Sequence, residues 1–247
     1  METIPLISCI CVTRKNPLLL HRAITCFLNQ TYKNKELIVV YDDDDLLTKD
    51  AVKNIGYSNV SFYEIKKNNK ISLGGIRNYA IEKSKGKFIC QWDDDDWYHV
   101  SRIERQYAEL KSTKNVSCVM TQWLIFDSMT NSAYLSHKRL WEGSLLCEKT
   151  AFSDIKYENI NKGEDTSVIH HLMEEGKMRP INDVANLYIY VYHGANTWNY
   201  THWTQIFNHS TKLNSDDSIV IKDILENYEN VKLGSQVLDN LYKCIKS

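Results

Sequence analysis

Apolar positions in the first 110 residues follow two alternating periods. Residues 6–13, LISCICVT, are a short apolar run rich in β-formers, which predicts a buried strand. Asn16 and Pro17 follow, one suited to a helix N-cap and the other to the first helical position. Leu20, Ala23, Ile24, Phe27 and Leu28 then recur at helical spacing and give one apolar face. Residues 36–41, ELIVVY, predict a second strand, 47–54 a weaker helix, and 60–65 a third strand. Gly74 and Gly75 open a helix running to about residue 83, and residues 87–92 predict a fourth strand. Ser101 and Glu104 have the S-x-x-E spacing of a capping box, with Ile103, Tyr107 and Leu110 as the buried stripe behind it. Strand and helix therefore alternate, the pattern of an α/β layer around a largely parallel sheet.

After residue 110 the pattern changes. Residues 116–126 and 187–192 predict strands, and 164–175 a helix with Val168, Ile169 and Leu172 inward. From 211 the chain is polar, with amphipathic helices near 218–228 and 235–245. They are expected to cover a sheet edge or an apolar face, and they also offer a surface for a homodimer. No linker, low-complexity tract or repeat interrupts the chain. The expected organisation is one body over residues 1–210, with halves at about 1–98 and 99–210. A helical extension over 211–247 packs on it.

Composition narrows the partners. Lys+Arg is 30 and Asp+Glu is 31, which argues against nucleic acid. The seven cysteines are scattered, mostly in apolar segments, without zinc-type spacing. They read as reduced thiols of a cytoplasmic protein. No apolar run approaches the roughly 20 residues that span a bilayer, so any membrane work would be peripheral, at the inner face.

Negative charge is concentrated twice, in YDDDD ending at Asp45 and in CQWDDDDW, where Asp93, Asp94, Asp95 and Asp96 stand between Trp92 and Trp97. Both runs close predicted strands, as do Thr13 and Arg14. In open α/β sheets ligands bind beyond the carboxyl ends of the strands. Crowded carboxylates repel one another, and a divalent cation offsets that cost. Mg²⁺ and Mn²⁺ commonly sit on one or two carboxylates plus substrate phosphates. Between the runs lies LGGIRNYAIEKSKG, residues 73–86. Glycines at a helix start let N–H groups approach an anion, and Arg77 adds a guanidinium suited to phosphate. Together they point to a diphosphate.

These segments, in this order, resemble the GT-A glycosyltransferases of family 2. Val12-Thr13 and Leu28-Asn29-Gln30-Thr31-Tyr32 stand for a strand ending Pro-Thr and a helix ending NQTY. Val39-Val40-Tyr41-Asp42-Asp43 stands for VVDDG, with Tyr41 replacing the first acid and Asp43 the glycine, a departure that bears on which nucleotide is bound. Ile76-Arg77-Asn78-Tyr79-Ala80 and Lys85-Gly86-Lys87-Phe88-Ile89 match the next block, and Trp92 with the four aspartates matches LDADD. Further on, residues 143–152 resemble the acceptor-side strand and turn. Gly163-Glu164-Asp165 resembles the ED motif, and residues 193–198 resemble a late His-containing segment.

The resemblance implies a GT-A fold with a Rossmann-like, mostly parallel sheet. It implies an inverting, metal-dependent hexosyltransferase that uses a nucleotide-diphospho-sugar, UDP-sugar foremost, with Mn²⁺ or Mg²⁺. Thr13, Arg14 and Asp42 would face the nucleoside, Arg77 the diphosphate, and Asp93 and Asp94 the ribose side. Asp95 and His193 would hold the metal, and the register Asp94 with Asp96 stays open among four identical residues. Asp165 would be the catalytic base. Trp97, Trp141, Glu142 and Glu164 would meet the acceptor, a glycan such as a surface polysaccharide, a lipid-linked glycan or a protein. The competing readings are a nucleotidyltransferase, which usually carries a glycine-rich loop where this chain has VTRKNP, and a degenerate nucleotide- or sugar-binding module.

Overall fold

In the computed structural model, residues 4–66 and 71–246 are described. The ends of the two expected ranges, residues 1–3 and 247, lie outside them. The chain runs β1 (Ile7–Val12), α1 (Pro17–Leu28), β2 (Lys35–Asp42), α2 (Leu46–Val52), β3 (Val60–Ile65), α3 (Leu73–Lys83), β4 (Phe88–Gln91), β5 (Trp97–Tyr98) and α4 (Arg102–Lys111). It continues through β6 (Ser117–Met120), β7 (Leu124–Asp127), β8 (Ser132–Leu135), β9 (Leu146–Glu148), α5 (Thr166–Glu174), β10 (Met178–Ile181) and β11 (Tyr188–Tyr192). The last elements are α6 (Tyr200–Asn208), β12 (Thr211–Lys212), α7 (Ser215–Glu226) and α8 (Val231–Lys246).

The seven-stranded sheet has the order β10-β6-β9-β4-β1-β2-β3. Strands β1, β2, β3 and β4 are parallel, and β9 enters antiparallel between β4 and β6. Alternate side chains feed two cores, which is why these strands read as unbroken apolar runs. Cys9, Cys11, Leu37 and Val39 pack with Leu20, Ala23 and Phe27 of α1, while Ile10, Ile38 and Val40 pack with Ala80 and Ile81 of α3 and Val168 of α5.

A five-stranded sheet, β12-β8-β7-β11-β5, stands beside it. The strand expected over 116–126 is therefore two strands in two sheets. Thr121 Oγ1 donates to Ile181 O at the end of the first sheet, whereas Trp123 N donates to Ser136 Oγ in the second. Both halves are buried, so the apolar run carries no mark of the switch. On the second sheet, Trp203 of α6 stacks on Tyr190 with ring centres 4.2 Å apart. Ala133 N donates to Ser218 Oγ of α7, and Val100 N donates to Ser235 Oγ of α8.

Two helix starts differ from expectation. Ser101 makes no capping hydrogen bond. The amide of Ile103 is met instead by Gln30 Oε1, and Glu104 accepts from Thr31 Oγ1. The NQTY segment thus ties the end of α1 to the start of α4. Asn16 precedes α1 without a side-chain cap.

Candidate active site

Because β1, β2 and β4 are parallel, their carboxyl ends bring Thr13, Asp42 and the second acidic run together. Thr13, Arg14, Tyr41, Asp42, Asp94, Asp95 and His193 line a cavity of about 610 Å³. Arg14 Nε lies 3.5 Å from Asp42 Oδ2. Asp45, in contrast, is buried and caps α2 by accepting from Thr48 N and Thr48 Oγ1.

The four aspartates of the second run have four different surroundings. Asp93 Oδ1 accepts from Arg77 Nη2 at 2.9 Å. Asp94 Oδ2 accepts from Thr13 Oγ1 at 2.6 Å. Asp95 Oδ2 lies 3.2 Å from His193 Nε2 and accepts from Asn196 Nδ2 at 3.0 Å. Asp96 is fully buried, accepting from the Tyr188 hydroxyl and from Val191 N. It lines neither cavity, whereas Asp94 lines both. Burial, with the charge of Asp95 next, raises the Asp94 and Asp96 carboxyls well above the ordinary range. Arg22 of α1 holds the turn by donating to the Asp95 carbonyl, and the Tyr98 hydroxyl donates to the Asp93 carbonyl.

Among the described residues, no three His, Cys, Asp or Glu side chains form a metal-binding group. The pair Asp95 and His193, oriented by Asn196, still fits Mn²⁺ or Mg²⁺ that completes its shell with substrate phosphate and water.

A second cavity, of about 240 Å³, shares Asp94 and Asp95 with the first. Its lining adds Arg77, Asp93, Arg139, Trp141, Glu142, Glu164 and Asp165. Arg77, expected at the diphosphate, lines this smaller cavity. Its guanidinium lies 2.9 Å from Asp93, 3.1 Å from Glu164 and 3.7 Å from Asp165, and it does not line the larger cavity. Burial works against its charge, but the three carboxylates outweigh that and raise its pKa. Burial raises Glu164 and Glu142 as well.

The expectation for the glycine pair is corrected. Leu73 N donates to Asn161 Oδ1 and Gly74 N to Ile160 O, so the start of α3 is engaged by the chain itself rather than open to a diphosphate. A Cβ on Gly74 would stand 1.8 Å from Glu158 O. The glycines allow the 158–164 loop to lie against α3. Asn78 fastens the same loop, since its side chain pairs with Tyr157 N and Tyr157 O. Gly163, at φ +70°, then turns the chain so that Glu164 and Asp165 face the cavity.

Asp165 occupies the N-cap position of α5 but makes no side-chain cap bond. Its carboxylate lies 3.7 Å from the Arg77 guanidinium and lines the smaller cavity. Trp141 lines the cavity and stacks on Trp123 with centres 4.5 Å apart. Trp97 does not belong to the site. It is fully buried in β5, against α8 near Gly234, because β5 pairs with β11 and turns it into the core. Arg22, Asn196 and Arg139 are the residues the motif pattern misses. Asn196 carried a signal, standing three residues after His193 in the same segment.

The family model described as Glycosyl transferase family 2 matches residues 8–180. An Escherichia coli UDP-Glc:alpha-D-GlcNAc-diphosphoundecaprenol beta-1,3-glucosyltransferase, WfaP, is 23% identical over 187 residues, 71% of this chain and 73% of that protein. A Campylobacter jejuni GalNAc(5)-diNAcBac-PP-undecaprenol beta-1,3-glucosyltransferase is 32% identical over 93 residues, 37% of this chain and 30% of that one. The chain spans 40% of an uncharacterized Rickettsia typhi glycosyltransferase, at 31% identity over 133 residues. Among solved structures, S. aureus TarS 1-349 with UDP-GlcNAc superposes at TM-score 0.61 and 14% identity, covering 77% of this chain and 60% of that one. The Pyrobaculum calidifontis mannosyltransferase PcManGT, with GDP-Man and Mn2+, gives 0.62 at 12% identity, covering 98% and 74%. The chain belongs to glycosyl transferase family 2 and has the GT-A fold.

Proposed function

We propose that this chain transfers a hexosyl unit with inversion from a nucleotide-diphospho-sugar, UDP-sugar first, to an acceptor hydroxyl. The observation that carries this reading is that two cavities meet at Asp94 and Asp95, with Asp165 lining only the smaller one. The larger cavity, built by residues before 98 together with Asn161 and the 193–197 segment, takes the nucleotide. Thr13, Arg14 and Asp42 bind the nucleoside, and Asp94 orients the ribose side together with Asp93, which reaches it from the adjoining smaller cavity. A divalent cation on Asp95 and His193 would supply charge neutralisation at the diphosphate.

The acceptor enters the smaller cavity, where Trp141, Glu142 and Glu164 contact it. Asp165 accepts the proton of the acceptor hydroxyl as that oxygen bonds to C1 and the C1–O bond to the diphosphate breaks. General-base catalysis of this kind contributes about 10²–10⁴-fold. Arg77 fixes Asp165 and Glu164 relative to Asp93. The two undecaprenol-linked names among the relatives favour a lipid-linked acceptor over a free glycan or a protein. Among the described residues no helix is long and apolar enough to cross a membrane.

The test is thermal stability against nucleoside diphosphates with and without Mn²⁺. A ligand at 100 times its Kd stabilises by about 2.7 kcal/mol. A shift that needs both Mn²⁺ and UDP supports the reading, and the absence of a shift with any nucleotide sinks it.

A further inference from the structure

Beside the carboxylates of the smaller cavity stand basic side chains that the sugar-transfer reading does not use. Arg139 and His202 line it, and Lys162 stands between the lining residues Asn161 and Gly163. Arg139 lies over the Trp123 and Trp141 rings at 5.4 and 5.7 Å. Stacking uses the face of the guanidinium and leaves its N–H edge free. Its Nε is buried and has no hydrogen-bond partner among the described residues. Lys162 Nζ is 5.4 Å from the Trp198 ring centre, and His202 stacks on the same ring at 4.1 Å. Among the described residues, neither Arg139 nor Lys162 has a carboxylate within the 4.0 Å of an ion pair.

The contrast with Arg77 is instructive, because the same cavity holds one guanidinium closed by three carboxylates and one closed by none. Burial, then Arg139 and Lys162, lowers the pKa of His202, so at neutral pH the imidazole stands as an uncharged hydrogen-bonding group beside two cations. A half-buried cation without a counter-charge costs free energy, and a bound anion offsets it. Arg forms bidentate, charge-assisted hydrogen bonds with phosphate and carboxylate.

We propose that Arg139, Lys162 and His202 form an acceptor subsite for an anionic group on or next to the acceptor sugar, whose ring lies against Trp198. This rests on the sugar-transfer reading above. A sugar phosphate and a sugar carboxylate share the chemistry, and the experiment separates them.

Binding is measured by calorimetry in EDTA, so that no divalent ion carries an anion to Asp95 and His193. The probes are the 1-phosphates of glucose, galactose and N-acetylglucosamine beside their methyl glycosides, and glucuronate and galacturonate beside their hexoses. At least one anionic sugar is expected to bind about tenfold or more tighter than its neutral partner. The preference should vanish in Arg139→Gln. It should also weaken in a Lys162→Gln/His202→Gln double variant, which leaves the Trp123–Trp141 stack intact. Preference for the phosphates or for the uronates names the anion. The proposal is overturned if anionic and neutral sugars bind alike, if no probe binds, or if the preference survives both variants. The UDP–Mn²⁺ thermal shift is read on the same proteins. An anion preference without that shift leaves the subsite standing and removes the donor reading.

Discussion

Asp95 and Asp96 are adjacent and identical, yet the structure assigns them opposite sensitivities. Asp96→Ala removes the acceptor of the Tyr188 hydroxyl and of Val191 N, both in buried residues. Each buried donor left unpaired costs about 1–3 kcal/mol, so the substitution costs about 2–6 kcal/mol. Asp96→Asn keeps the volume and one acceptor and costs about 1–3 kcal/mol. Asp95 is partly exposed and pairs with His193 at 3.2 Å. Such pairs are worth about 0–1 kcal/mol, so Asp95→Asn should keep stability and lose Mn²⁺-dependent nucleotide binding. Urea unfolding followed by tryptophan fluorescence gives the stabilities, and the nucleotide thermal shift gives the binding. An Asp96→Ala protein within about 0.5 kcal/mol of wild type, or an Asp95→Asn protein that keeps the Mn²⁺-dependent shift, would refute the assignment. Proton linkage provides a second check. Burial raises the Asp96 carboxyl pKa, so the folded protein keeps a proton that the unfolded chain loses above about pH 3.9. Stability therefore falls as pH rises through that window, and Asp96→Asn removes this part of the slope.

Three further outcomes are expected. Asp165→Asn should lower kcat about 10²–10⁴-fold with the nucleotide thermal shift unchanged, and a wild-type transfer rate would remove the base assignment. Gly74→Ala sets a Cβ 1.8 Å from Glu158 O; overpacking of this kind costs about 1–3 kcal/mol, and the displaced 158–165 loop should reduce kcat more than donor affinity, as steady-state kinetics would show. His99 Nδ1 accepts from Ser101 N, which leaves its proton on Nε2 facing Ser235 O of α8 at 3.2 Å, and burial lowers its pKa. Its contribution is fully present above about pH 6.5 and is lost as pH falls through the folded pKa. Urea midpoints at pH 7.5 and 5.5 should therefore differ more for wild type than for His99→Gln.

Much of the scaffold was legible in local pattern. Unbroken apolar runs and period-3.6 stripes report which segments and faces are buried, and the alternation of strand and helix to residue 110 follows from that alone. The carboxyl-end rule for parallel strands then gathers Thr13, Asp42 and the second acidic run at one edge, where the structure has them. Glu164, Asp165 and His193 were legible through motif resemblance, and they line the two cavities. What pattern does not carry is the partner of each side chain. Four consecutive aspartates are equivalent as letters. They become a guanidinium partner, a hydroxyl acceptor, a histidine neighbour and a core residue only because the turn at 93–96 meets α3, β1 and β11 at once. Trp97 and Trp141 look alike in composition, but strand pairing turns one into the core while the other lines a cavity. The run over 116–126 is apolar on both sides of its break, so nothing local marks where it changes sheets. The glycines of α3 serve a close approach by residues 158–160, more than eighty positions away. Burial is a property of short segments and so leaves its trace in local sequence. Pairing across tens of residues depends on the path of the whole chain, and the tertiary structure alone decided it.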